Sequence, residues 1–340
     1  MGIHQYIERH SGKIVTEKAP GDGTINLLYS VLQERSPKVF RALTGQRTTD
    51  ILGFFAFDPV LNCAFADGCQ ALRKWGVDPA ECYDDPGELT TPRKVFERRI
   101  SYWSCRPLPA SPGTVVSPAD ARLLLGSFRE TSALFIKHKF FDYEELLGAD
   151  KRHWLRAFYH GDFALLRLTP DKYHYTHAPV TGRVMDIYGI DGTYHSCNPG
   201  AMVRLVNALS KNKRVVTIID TDVPAGSQVG LVAMIEIVAM MIGEILQCYS
   251  HERYDDPQPV LPGMFLERGR PKGLFRPGSS SVVLVFQPDR VRFAGDLIRN
   301  QHHQAACSRF SFNFQQSLVE TDVQVRSAVA DRIEGNISHD

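Results

Sequence analysis

The chain has 340 residues, a formal net charge of +1, 43% hydrophobic residues and 23% charged ones. That length suits about two units of ~100–200 residues, and the balance is that of a globular protein with ample material for a core, which excludes wholesale disorder. Near-neutral charge without a long basic stripe interleaved with aromatics gives no case for a nucleic-acid partner.

Residues 1–23 read as a polar lead-in ending in the turn-rich "APGDG". They lack the apolar run of a secretory signal, and "MGIHQY" has Tyr6 where myristoylation wants Ser or Thr. From Thr24 to about Trp75 the apolar spacing of three and four predicts helix, broken at Pro37, with Asp58 as an N-cap and Gly76 as a stop. Residues 77–94 are a linker rich in Pro and Asp. After about residue 95 short β-rich runs take over, among them "FALLRLTP", "GRVMDIYGI", "RVVTIID" and "SVVLVF", separated by turns such as "IDGTY". One helix candidate, "GAMVRLVNALSKNKR" (200–214), interrupts them. The most apolar stretch, residues 229–246, carries Glu236 and Glu244, which are costly in a bilayer, so it is expected to be buried in protein. The whole reads as α+β: a helical N-terminal region (1–92), then a β-rich, mainly antiparallel catalytic domain (93–330).

The seven cysteines are odd in number and scattered with no C-x-x-C, so neither a zinc site nor a redox pair is suggested. Reduced thiols in a cytoplasmic compartment are the simple account. The "HHQAAC" run at 302–307 reads as a solvated segment, and no metal is assigned.

Three stretches hold candidate chemistry. "VVSPADARL" (115–123) sets Asp120 just after a proline, where an Asp is most often a turn former. "LTPDKYHYTHAPVTGRV" (168–184) spaces His174 and His177 three apart between prolines, which favours a loop entering a strand; a bare H-x-x-H is ordinary. "KGLFRPGSSSVVLVFQPDRVRF" (272–293) places three hydroxyls before a run that otherwise enters a core.

Taken in order, these stretches resemble the phosphatidylserine decarboxylase family, whose members carry S-P-A-D-G, then D-Y-H-R-x-H-x-P-x-x-G, then G-x-F-x-x-G-S-[ST]. "VFERRISYWSCRPL", "YHSCNP", "NKRVVTIIDT" and "VAMIEIVAMMIGEI" are similar to further family stretches, so the resemblance covers about residues 93–293. It implies a proenzyme that cuts itself before a serine of the G-S motif. A serine Oγ attacks the preceding carbonyl to form an ester, β-elimination leaves dehydroalanine, and hydrolysis leaves a pyruvoyl group capping the downstream chain. That group is the covalent cofactor: it takes the substrate's amine and accepts the electrons released as CO₂ leaves. By the same resemblance His177 is the base for cleavage and Asp120 its orienting group, a Ser–His–Asp logic. His174 is the candidate proton donor in decarboxylation. The spacing from Phe275 to Phe286 favours Ser280 as the pyruvoyl precursor, with Ser279 the alternative.

Three positions depart from the family pattern: Ala121 for Gly, Val238 for Gly, and Tyr175 for the Arg of Y-H-R-x-H. The family favours phosphatidylserine as substrate, with phosphatidylethanolamine as product. Tyr175 and the "GSSS" form lean towards a free aromatic amino acid such as tryptophan, and an uncleaved pseudoenzyme that only binds is a third reading. The resemblance also implies that the two cleaved chains stay associated, and a homodimer is compatible with it. For a lipid substrate, the apolar positions of "DILGFFAFDPVL" (50–61) offer a face for peripheral membrane contact.

Overall fold

The β-rich runs build one large sheet, because strands apolar at nearly every position need cover on both faces. The computed structural model describes residues 3–17, 29, 36, 40, 44–45, 67–136, 140–240, 244–278 and 280–334. Its strands begin with β1 (Gln5–Glu8), β2 (Ile14–Thr16), β3 (Thr114–Val116), β4 (Ala121–Ser127) and β5 (Asp162–Leu168). They continue as β6 (Tyr175–His177), β7 (Gly182–Ile190), β8 (Arg214–Asp220), β9 (Leu231–Val238), β10 (Ile245–Gln247) and β11 (Phe265–Leu266). The last are β12 (Pro271–Phe275), β13 (Ser280–Phe286), β14 (Val291–Phe293), β15 (Glu320–Val323) and β16 (Ala328–Arg332).

Ten of them form a sheet in the order β11-β7-β8-β9-β13-β5-β4-β15-β1-β2, and β10-β12-β6 and β14-β16-β3 form two small sheets. Among the described strands β1 with β15 is the one parallel pair. A period of two sorts the side chains. Val282, Leu284 and Phe286 of β13 join one core with Met234 and Val238 of β9 and Leu166 and Leu168 of β5. Val283 and Val285 join the opposite core with Ile235, Ile237 and Leu165. The first core also includes Phe275, Tyr249 and Ala178, so the β10-β12-β6 sheet covers that face.

Helices are short. α1 (Gly68–Lys74) is capped by Asp67, whose side chain accepts the Cys69 N–H, and Gly76 ends it at φ +75°, as its stop signal predicts. The predicted cap Asp58, and most of the helix expected from Thr24, lie outside the described residues. The Pro- and Asp-rich linker contains two 3₁₀ turns, Pro79–Glu81 and Pro86–Glu88, then α2 (Pro92–Phe96) and α3 (Tyr102–Cys105). The 200–214 helix divides into α4 (Pro199–Met202) and α5 (Ala208–Lys211), because Asn207 takes a left-handed φ of +59° that Asn tolerates.

The lead-in is a correction to the helical N-terminal reading. β1 pairs β15 with Tyr6 opposite Glu320, and β2 folds back on β1. A buried ion cluster fixes this hairpin: the Arg167 guanidinium reaches Glu17 and Glu320 at 2.7 Å each, and His4 Nε2 lies 2.8 Å from Glu320. Segments this short give no periodicity to read, so polar residues facing an ion cluster look like loop in the sequence.

Of the described residues in 229–246, those of β9 from Val232 on are buried as expected, with β9 central between β8 and β13, whereas Glu244 is exposed and Ile245 and Leu246 of β10, in the small sheet, are only half-buried. No helix among the described residues is long and apolar enough to cross a membrane. The 50–61 segment lies outside the described residues.

Candidate active site

Strand β6 and the turn leading into it carry the histidines, and β12 pairs alongside. Thr176 sends its hydroxyl to Glu236 of the large sheet, at 2.6 Å. Its neighbour His177 points to the other side of β6, as a pleated strand requires, and its ring meets Tyr102 edge-on with centroids 4.8 Å apart. His177 is fully buried with both ring nitrogens engaged: Nδ1 lies 2.9 Å from the Gly269 carbonyl and Nε2 lies 2.9 Å from the Tyr173 hydroxyl. A carbonyl only accepts, so Nδ1 carries the proton and Nε2 the lone pair. Burial pushes the imidazole down to about 3, with Arg326 lowering it further against the pull of the Gly269 carbonyl.

His174 precedes β6, and its carbonyl accepts the Phe275 N–H, which sets it against the last residue of β12. Thr91 caps α2 by accepting the Lys94 N–H and Pro92 starts it, so the helix ends with Phe96 buried. The Phe96 ring stacks on the His174 imidazole at 3.5 Å between centroids and 22° between planes. His174 is fully buried and neither ring nitrogen makes a well-formed hydrogen bond. Burial, then Arg98, press it down to about 3, so it is neutral.

Asp120 sits at the turn into β4, buried. Its carboxylate takes Arg106 at 3.0 and 3.3 Å and the Val325 N–H at 2.7 Å. Burial pushes its carboxyl up, but the Arg106 charge and hydrogen bonds outweigh that and hold it below the usual range. Arg106 also reaches Glu81 at 2.8 Å. Asp120 therefore acts on His177 through its charge alone; among the described residues no hydrogen bond joins Asp120, His177 and Ser280.

Ser280 opens β13, opposite Val238 on β9 and Leu168 on β5. The period of two aims it, with Val282, at the face that the histidine-bearing sheet covers. Its hydroxyl is fully buried and has no hydrogen-bond partner, which is costly for a hydroxyl without a task. The chain crosses between sheets just before it, from Phe275 at the end of β12, through Gly278 at φ +145°, a conformation open to glycine. Cys197 lies with its thiol 3.6 Å from the Ser280 carbonyl. Ser279 lies outside the described residues.

Of the three departures, Val238 is Ser280's direct cross-strand neighbour and Ala121 starts β4, both fully buried. Tyr175 stacks on Tyr173 at 5.6 Å and meets Tyr254 edge-on at 5.0 Å, half-buried, its phenol raised to about 12 by burial. The sequence reading missed Lys272 and Tyr254. Lys272, fully buried, puts Nζ 2.7 Å from both Glu236 and Gln247, which explains how Glu236 tolerates a central strand. A Cβ on Gly273 would come within 2.7 Å of the Glu236 carboxylate. The one signal available was a lysine beside a glycine in an apolar run, opposite a glutamate in another.

The family model described as phosphatidylserine decarboxylase matches residues 93–309. A protein of Ruminiclostridium cellulolyticum named phosphatidylserine decarboxylase proenzyme is 28% identical over 302 residues, 86% of this chain and 91% of that one. Proteins of the same name from Bordetella petrii and Chlamydia trachomatis are 30% identical over 235 residues and 34% over 194; they match 65% and 57% of this chain and 78% and 58% of their own lengths.

Proposed function

This chain belongs to the phosphatidylserine decarboxylase family of carboxy-lyases, and from that premise we propose that it is a self-cleaving proenzyme that removes CO₂ from phosphatidylserine to give phosphatidylethanolamine. The observation that carries the reading is Ser280: a buried hydroxyl without a partner, at a glycine hinge between two sheets, facing the histidine-bearing sheet. In cleavage its Oγ attacks the carbonyl carbon of residue 279. The acyl group passes from nitrogen to oxygen, and β-elimination frees residue 279 as a carboxylate. Loss of ammonia on hydrolysis leaves the new end of the downstream chain as a pyruvoyl ketone, which supplies the electron sink for decarboxylation.

The chain's own residues do the rest. His177, neutral because it is buried, offers Nε2 as the basic nitrogen as the Tyr173 hydroxyl turns from donor to acceptor beside it. The Asp120 carboxylate, held anionic by Arg106, favours the cation that forms there. His174, stacked under Phe96, is the candidate donor for decarboxylation: neutral as it stands, it would first take up the proton that it then hands to the carbon that loses CO₂. The two chains stay together, since β12 ends one and β13, at the centre of the large sheet, begins the other.

Intact-mass measurement of purified protein, with CO₂ release from phosphatidylserine vesicles and from free aromatic amino acids, tests the reading. Two chains, the smaller starting with a blocked terminus at position 280, and turnover of the lipid support it. One full-length chain under all conditions favours a binding protein, and turnover of amino acids alone moves the substrate to that class.

A further inference from the structure

His177 is the inner end of a chain of hydroxyls. The Tyr173 hydroxyl lies 2.9 Å from His177 Nε2 and 2.8 Å from the Tyr254 hydroxyl. The Tyr254 oxygen accepts the Ile100 N–H at 3.0 Å and lies 2.8 Å from the Ile100 carbonyl. Tyr173 is fully buried and Tyr254 nearly so. Burial drives both phenols far above their ordinary range, so both stay protonated.

Counting protons gives the consequence. With His177 neutral, Nε2 accepts from Tyr173, so Tyr173's oxygen accepts from Tyr254. Tyr254 then has nothing left for the Ile100 carbonyl, which the Tyr102 N–H serves instead at 2.8 Å. When Nε2 takes the proton that Ser280 Oγ gives up in its attack, each bond reverses: Nε2–H donates to Tyr173, Tyr173 to Tyr254, and Tyr254 to the Ile100 carbonyl. Two hydroxyls turn, the two phenol rings stay in place, and no polar atom of His177, Tyr173 or Tyr254 is orphaned in either state. We propose that Tyr173 and Tyr254 are positioning residues of a reversible hydroxyl chain that lets buried His177 take up and return a proton during self-cleavage. This rests on the reading of His177 as the cleavage base.

Other charged groups around His177 do not supply this. Arg326 and Arg106 oppose its protonation, and Asp120, which favours it, is taken up by Arg106. Tyr102 only packs against the ring, its hydroxyl going to the Arg253 carbonyl.

The test is the first-order self-cleavage rate of freshly purified proenzyme in mixtures of H₂O and D₂O. Tyr254→Phe keeps the Tyr173–His177 bond of the neutral state but removes the acceptor that the charged state needs. It should slow cleavage roughly 10-fold or more, the loss expected for one hydrogen bond serving a charged group. The dependence of rate on deuterium fraction should be bowed in the wild type, reporting several protons in motion, and straighter in Tyr254→Phe. Tyr173→Phe should be slower still; if it fails to fold, Tyr254→Phe carries the test. A Tyr254→Phe chain that cleaves at the wild-type rate with the same bowed curve, or that is unfolded, overturns the proposal. Wild type that cleaves beside such a variant sinks the hydroxyl chain alone, whereas a wild type that never cleaves, or a His177→Ala chain that cleaves normally, removes the cleavage reading with it.

Discussion

The two faces of the ten-stranded sheet are made from the same strands, yet the proposed nucleophile belongs to only one. Ser280 and Ser281 are adjacent, both buried and both without hydroxyl partners. Alternation sends Ser280 to the face covered by the histidine-bearing sheet and Ser281 to the opposite face, between Ile237 of β9 and Arg167 of β5. On the first face Glu236, two residues from Val238, is tied to Lys272 beside the histidine-bearing sheet; on the opposite face the buried charge is Arg167, held by Glu17 and Glu320 at the hairpin end. A hydroxyl's surroundings, more than its residue type, decide whether it is a nucleophile or a packing atom.

The strongest way to break this contrast is to remove each hydroxyl in turn. Ser280→Ala should abolish self-cleavage, leaving one chain by intact mass, while Ser281→Ala should cleave within a few-fold of wild type. A Ser280→Ala protein that still cleaves, with its new terminus at 279, would move the junction to Ser279 and take the argument from Ser280's burial with it.

The histidines sharpen the comparison, since they flank one strand and face different neighbours. His174→Ala should still yield two chains but lose roughly 10²–10⁴-fold in CO₂ release, the usual worth of a general acid. His177→Ala should remain a single chain. Equal failure of cleavage in both variants would show that the two roles are not separable.

Next in size is the buried pair beneath β12. Lys272→Met strands the Glu236 carboxylate in a site with no exposure and should cost about 3–5 kcal/mol in a urea melt, as breaking a buried pair does. Lys272→Met with Glu236→Gln neutralises both members, keeps an acceptor for Thr176, and should recover at least half of the loss. A double variant no better than the single would assign the cost to packing instead of charge.

Much of the β-rich part was legible because its strands are apolar runs bounded by turns: β13, β8 and β5 fall where "SVVLVF", "RVVTIID" and "FALLRLTP" predict them. The candidate residues were legible only through ordered motifs, since Asp120, His174 and His177 are individually commonplace. What stayed hidden is what depends on contacts between distant segments. Tyr254 lies 81 positions from Tyr173, its hydroxyl partner, and Lys272 lies 36 from Glu236. Nothing local marks either pair. The β1–β2 hairpin was read as loop for a related reason: its stability comes from Arg167 and Glu320, over 150 residues away.

The smallest effect concerns acid. His174 and His177 sit at about 3 in the folded protein and His195 at about 4, each pressed down first by burial, against about 6.5 in an unfolded chain. Below pH ~6.5 the unfolded state therefore binds more protons than the folded one, so stability falls as pH falls, by up to about 1.4 kcal/mol per pH unit for each histidine. Asp120 and Glu320, whose carboxyls burial raises but Arg106 and Arg167 hold low, add acid sensitivity only below about pH 5, where unfolded carboxyls begin to protonate. The window between about pH 6.5 and about 5 thus belongs to the imidazoles. Urea melts across it should show a falling midpoint, and His174→Gln, which cannot protonate, should make the fall shallower by about one third. An unchanged slope in that variant would mean that His174 is charged or solvated in the folded protein, and the contrast between a dry histidine face and an ordinary surface would be lost.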